Sequence, residues 1–197
     1  MKDLLIMLML LALTPFAEAF ADGRGHLTEG DVALEKNQPG PAIVHFTQAI
    51  ESGDLTDAEF RDAYWKRAVA NFDKNLDDLH IDHSDRIDGF EDCLADLESA
   101  RGYGKEVDAA FNLKGGQCRE YVGLKEEAIT YYINVLDQEA TDMERGLSLY
   151  SLGLLHRDLG AAEKAAAYFE TCASEAGPAS RIAKGCKREL QKLAAGN

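Results

Sequence analysis

Leu149-Tyr150-Ser151-Leu152-Gly153-Leu154-Leu155, followed by Gly160 and then by Ala165, Phe169 and Cys172, is the stretch that decides the fold of this chain. The first seven residues carry apolar side chains at the spacing of a packed helix. Gly160 ends that helix, because the residue just past a helix end often adopts the left-handed conformation, which costs glycine nothing. Ala161 to Ala173 then reads as a second helix, with Ala165, Phe169 and Cys172 on one face. Gly153 and Ala165 are small enough to let the two helices approach, and Phe169 fills the space between them. A turn this short folds the second helix back antiparallel to the first.

The same pattern recurs up the chain. From Gly153 the steps to Gly160, Ala165, Phe169 and Cys172 are 7, 5, 4 and 3. Gly116, Gly123, Ala128, Tyr132 and Val135 repeat those steps, and so do Gly30, Asn37, Ala42, Phe46 and Ala49. In this first copy Pro41 suits the first turn of the second helix. Another copy is interrupted. Ala68 is followed seven residues later by Asn75, and the triplet returns as Cys93, Leu97 and Ala100. Ala68 to Cys93 is 25 residues instead of 12, so 13 are inserted, within Leu76 to Asp92.

Self-similarity at a fixed period predicts an all-α solenoid of stacked, antiparallel helix pairs. The expected repeats are about 24–52, 58–101 with an insertion at 76–92, 108–138 and 145–176, within a helical domain spanning 22–197. Inter-repeat loops are expected near Ser52–Thr56 and Ala140–Asp142. A last helix over 179–195 carries Arg181, Lys184, Lys187, Arg188 and Lys192. It reads as a cap, because an end repeat needs a soluble outer face.

The bulk properties fit one globular domain. The chain has 197 residues, 46% of them hydrophobic, and a formal net charge of −14. With no Lys/Arg-rich run, nothing is suited to a nucleic-acid phosphate backbone. At the start, Met1-Lys2-Asp3 precedes an unbroken apolar run from Leu4 to Leu13, which Pro15 ends. Ala17-Glu18-Ala19 and Ala19-Phe20-Ala21 both fit a small-x-small cleavage rule. Residues 1–21 therefore read as a secretory signal peptide, and the run is about half of what a membrane span needs. The mature chain would carry a net charge of −13 and no membrane-inserted segment. The four cysteines, Cys93, Cys118, Cys172 and Cys186, are an even number in a chain read as exported, which suggests disulfides. They form no C-x-x-C, and by count alone three pairings are open.

Leu152-Gly153 with Ala165-x-x-x-Phe169 resembles the tetratricopeptide repeat, and Gly30 with Ala42-x-x-x-Phe46 and Gly116 with Ala128-x-x-x-Tyr132 are similar to it. The family's Trp near the start of the first helix is absent from most copies, although Trp65 sits close to that place in the second. Its terminal Pro is largely absent too. The resemblance covers nearly all of residues 24–177 and implies a class of function only: protein or peptide binding and assembly scaffolding. It also implies that the second helix of one repeat packs on the first helix of the next. On that implication the disulfides are Cys93–Cys118 and Cys172–Cys186. The resemblance further places a binding groove on a concave face lined by the first helix of each pair. The groove residues it implies are Trp65, Lys66, Val69 and Phe72, then Lys114, Gln117, Glu120 and Tyr121, and finally Tyr150, Leu154 and Arg157. Aromatic rings beside charged groups give a peptide groove both area and orientation. The Lys/Asn set that some family members use to clamp a carboxylate is not evident.

Catalytic chemistry has little support. There is no G-x-S-x-G, H-E-x-x-H or P-loop pattern. His26, His45 and His156 are isolated and read as helix-surface or junction residues. Within the insertion, Asp78, His80, Asp82 and His83 mix carboxylate and imidazole groups of the type that binds divalent ions. The spacing does not fit a calcium EF-hand loop, and a solvated acidic loop accounts for the residues without a metal. No metal site and no cofactor is assigned. The expected function is a non-catalytic protein- or peptide-binding scaffold of the cell envelope. The signal peptide and cysteines point to export, and the resemblance points to a bacterial periplasm. Two rivals remain: a metal-dependent hydrolase built on the Asp/His-rich insertion, and a membrane-anchored assembly factor with an uncleaved N-terminus.

Overall fold

Helices follow one another along the chain, each packed on its chain neighbours, in a computed structural model that describes residues 22–77, 83–177 and 179–196. The residues read as a signal peptide, 1–21, lie outside the described residues, as do Asp78, His80 and Asp82 of the insertion. In chain order the helices are α1 (Gly23–Glu35), α2 (Pro39–Ser52), α3 (Asp57–Asp77), α4 (His83–Gly102), α5 (Ala109–Tyr121), α6 (Lys125–Leu136), α7 (Asp142–Asp158), α8 (Ala162–Glu175) and α9 (Arg181–Ala194). The described residues contain no strand. α1–α2, α3–α4, α5–α6 and α7–α8 are the pairs, α2 packs on α3, α4 on α5 and α6 on α7, and α9 closes the stack on α8 and α7. The chain is a TPR-like α-solenoid.

The repeat triplets form its core. Ala42, Phe46 and Ala49, Cys93, Leu97 and Ala100, Ala128, Tyr132 and Val135, and Ala165, Phe169 and Cys172 are all at most 1% exposed. Each ring lies over the small residue of the preceding helix. A Cβ on Gly30 would fall 2.5 Å from the Phe46 ring, and one on Gly116 would fall 2.8 Å from the Tyr132 ring. No real Cβ tolerates such distances, so glycine there is a packing requirement set by the ring opposite.

The helix ends have local causes. Asn37, Gly123 and Gly160 take φ of 54°, 86° and 75°, the left-handed geometry expected of stops. Thr141 and Glu144 form a capping box at the start of α7, and Asp22, Asp108 and Ser180 cap α1, α5 and α9. Asn75 is different. It does not stop α3, which continues to Asp77, and it is buried within the helix with its amide donating to the Asn71 carbonyl at 2.6 Å. Its side chain occupies the space above Gly89 of α4, which has no Cβ to contest it. The inserted residues thus lengthen both helices of the second pair. α4 begins at His83, ten residues before Cys93, where the sequence suggested a long loop.

Both disulfides form as the resemblance implied. Cys93 of α4 bonds Cys118 of α5, and Cys172 of α8 bonds Cys186 of α9, with Cα–Cα distances of 6.4 and 6.1 Å. Each joins the second helix of one pair to the next helix in the stack.

The N-terminus of α3 carries a testable electrostatic feature. Glu59 accepts from the Thr56 backbone N–H and hydroxyl, each at 2.7 Å, and from Arg24 of α1 through Nε at 2.6 Å and Nη2 at 3.2 Å. These bonds, Arg24 first, hold its carboxyl down to about 2. The folded value lies below the unfolded one. The stabilisation is therefore present above the ordinary carboxylate range and lost as pH falls through about 2. An NMR titration should place the Glu59 midpoint near that value in the intact protein and move it up in Arg24→Ala. An unchanged midpoint would remove Arg24 as the cause.

Candidate binding face

The first helices α1, α3, α5 and α7, with α9 after them, present the face on which the groove residues were expected. Long side chains reach along it from one first helix to the next. Lys66 of α3 donates to both oxygens of Asp31 of α1 at 2.7 and 2.8 Å. Lys114 of α5 lies 3.7 Å from Asp73 of α3. Arg157 of α7 donates to Glu189 of α9 at 2.8 Å. The nominated cations therefore already have carboxylate partners, and each such pair ties two successive repeats together. Lys66–Asp31, with both side chains partly open to solvent, contributes little stability, about 0–1 kcal/mol, while the other two pairs each have one largely buried member, Lys114 and Glu189.

Two aromatic clusters lie at the α3–α5 junction. Trp65, half-buried, stacks on Phe111 at 6.2 Å between ring centroids, with the Lys105 ammonium 4.9 Å above the indole. Beside it a hollow of about 330 Å³ is bounded by Arg61, Asp62, Trp65, Gly104, Lys105 and Glu106. At the other end of the two helices, Phe72 meets Tyr121 edge-on at 6.0 Å, and Tyr121 stacks on Phe90 at 4.4 Å. Lys114 Nζ sits 3.8 Å from the centre of the Phe72 ring. Burial dominates the Lys114 ammonium and lowers its pKa despite Asp73. Phe72 is 4% exposed and belongs to the core, whereas Tyr121 is 47% exposed. Val69 and Gln117 are half-buried nearby.

Glu120 points inward. It accepts from the Tyr132 hydroxyl at 2.7 Å, and burial raises its pKa against the opposing hydrogen bonds from Tyr132 and Ser151. It serves the α5–α6–α7 junction and is a poor candidate for ligand contact. Tyr150 packs its ring 6.0 Å from Phe169 and also borders a hollow against α9, while Leu154 packs on the last core cluster. Among the nominated residues, the rings that keep surface open are Trp65 on α3, Tyr121 on α5 and Tyr150 on α7.

Some residues were not found from the sequence. Phe60, Tyr64 and Tyr103 stack at 5.2 and 5.8 Å, and Tyr103 comes from the link after α4, which carries no repeat position. Away from the first-helix face, Arg67 makes a bidentate pair with the 4%-exposed Asp96 at 2.9 and 2.7 Å and donates to Thr47 at 2.9 Å. That pair floors a polar hollow of about 210 Å³ between α2, α3 and α4. Opposite charges about one repeat apart were the available signal for several first-helix pairs: Arg24–Glu59 and Lys66–Asp31 are 35 residues apart, and Arg157–Glu189 are 32 apart.

Of the metal candidates, Asp78, His80 and Asp82 lie outside the described residues. Among the described residues, no group of three or more His, Cys, Asp or Glu is placed to hold an ion. His26 and His45 have ring centroids 6.1 Å apart, and His156 stacks on Tyr168 at 5.3 Å, so each serves a helix junction. No described helix is long and apolar enough to cross a membrane.

No protein-family model matches the chain, and no curated protein matches it in sequence. Among solved structures it is similar to the MamA protein, a TPR-like helical solenoid, at 16% identity and a TM-score of 0.58 over 88% of each chain. At that identity the likeness extends to the fold.

Proposed function

We propose that this chain is an exported, non-catalytic scaffold that binds a protein or peptide partner in the cell envelope, in the periplasm. The observation that carries the reading is the pairing of accessible rings with cations between successive first helices, Trp65 under Lys105 and Tyr121 beside Phe72 and Lys114. Such groups supply contact area at low entropic cost and set the orientation of a bound chain. Two buried disulfides suit an oxidising compartment, and the signal-like N-terminus supplies the route. The partner meets the face through the Trp65, Tyr121 and Tyr150 sites, with the other nominated residues orienting them.

Crosslinked affinity capture from the native envelope, run beside a Trp65→Ala/Tyr150→Ala variant, tests this. A partner held by the wild type and lost by a variant that keeps its helical circular dichroism is the expected result. A partner retained equally by both would move binding off the first-helix face.

A further inference from the structure

The last helix does more than close the stack. α9 carries Arg181, Lys184, Lys187, Arg188 and Lys192 against the single acid Glu189, in a chain whose net charge is −14. Positive charge is therefore concentrated at this end of an otherwise acidic molecule. Glu189 is buried and already accepts from Arg157 and Lys192, each at 2.8 Å. Arg188, with a side chain 67% exposed, reaches only to 3.9 Å from the same carboxylate. Arg181 is exposed and has no ion-pair partner among the described residues. Two guanidiniums are left in surplus.

Both border one slot. It lies between α7 and α9, has a volume of about 230 Å³, and is lined by Leu147, Tyr150, Ile182 and Gly185, with Arg181 and Arg188 at its edge. Gly185 opens it: a Cβ there would sit 3.4 Å from the Tyr150 ring, so any larger side chain would cover that ring. The volume is below the roughly 300–1,000 Å³ of a small-molecule site. It suits one inserted side chain, with flanking groups held outside by the arginines. Arginine pairs carboxylates bidentately, which favours acidic flanking residues.

We propose that this slot is a docking site for a short acidic peptide segment that inserts one aromatic or branched apolar side chain against Tyr150 and pairs its carboxylates with Arg181 and Arg188. The proposal rests on the scaffold reading and names the chemistry of the partner at one end of the same face. Charge complementarity selects the occupant. The rest of the chain repels an acidic segment, and the basic end attracts it over about a Debye length, so recognition is local and weakened by salt.

The test is fluorescence anisotropy on the mature, oxidised protein with labelled Asp-Glu-Phe-Glu-Asp as probe. Wild type should bind it, more tightly at low salt than at physiological salt. Arg181→Glu/Arg188→Glu should weaken binding at least tenfold. Gly185→Leu, which fills the slot without altering charge and improves helix propensity, should do the same. A probe with Ser in place of Phe should also lose at least tenfold. Absence of wild-type binding overturns the proposal, as does equal binding by either variant. Equal binding of the Ser probe would reduce the site to unspecific charge attraction and would also overturn it. Sedimentation velocity separates a further occupant: a wild-type dimer that Arg181→Glu/Arg188→Glu converts to monomer would assign the slot to a second copy of this chain. Failure here is distinguishable from failure of the scaffold reading. A native partner captured by Gly185→Leu but lost by Trp65→Ala leaves the scaffold standing without this slot.

Discussion

Phe169→Ala should destabilise the protein by about 3–5 kcal/mol, read as a lower urea midpoint with the loss shared by α7 and α8. Phe169 is 0% exposed and packs with Leu149, Ala165, Cys172 and Ala176 in the last core cluster. Its ring lies directly over Gly153, which has no side chain to move into the vacated volume. The cavity therefore stays open, and the cost belongs at the upper part of that range. A double-mutant cycle makes the argument sharper. In the wild type, Gly153→Ala forces a Cβ into the ring and should cost about 1–3 kcal/mol. In the Phe169→Ala background the same methyl enters empty space and gains the helix propensity that glycine lacks, about 1 kcal/mol. The substitution should change sign between the two backgrounds. Additive costs would mean that the ring and the glycine are not partners, and the shared logic of Gly30 with Phe46 and Gly116 with Tyr132 would fall with them.

That reciprocity is why the fold was legible. A ring and a small residue twelve positions before its triplet opens must coexist, and a sequence that repeats the coincidence leaves few other architectures. The second pair shows the limit. Asn75 stands where Asn37 stands in the first copy, yet Asn37 takes φ of 54° and ends its helix while Asn75 stays helical. The difference comes from Gly89, on the returning helix, which accepts the Asn75 side chain as a packing neighbour. No local signal at Asn75 contains that information. The disulfide partners could be anticipated because a helix order, once assumed, brings particular helices together. The binding face was less legible. The repeat register nominates Lys66, Glu120 and Arg157 equally, but partners on neighbouring helices decide whether each is available: Asp31 engages Lys66, Tyr132 holds Glu120 inward, and Glu189 engages Arg157.

Removing the Cys172–Cys186 bond, by Cys172→Ala/Cys186→Ala, should cost about 3 kcal/mol, the loop-closure value for a loop of this length. The two residues are 14 apart in sequence, and both are 0% exposed. Where the loss appears matters more than its size. α9 packs on α8 and α7 and has no further helix beyond it among the described residues. In a repeat array stability is passed between nearest neighbours, so an end element has one interface where an inner one has two. α9 also brings five cationic side chains together on one helix, and their mutual repulsion weakens the helix itself. The bond offsets both weaknesses. Without it, hydrogen exchange should accelerate in 181–194 while the amides of α1 and α2 keep their protection. The Cys93–Cys118 bond gives the internal comparison. It joins α4 to α5 in the middle of the stack, where neighbours on both sides depend on the junction, so its removal should lower protection across α3 to α6 together. Equal, global loss from either substitution would show that the array unfolds as one cooperative unit. Full retention of α9 protection without its disulfide would show that the Arg157–Glu189–Lys192 cluster and the apolar contacts of Ala183 hold the cap unaided.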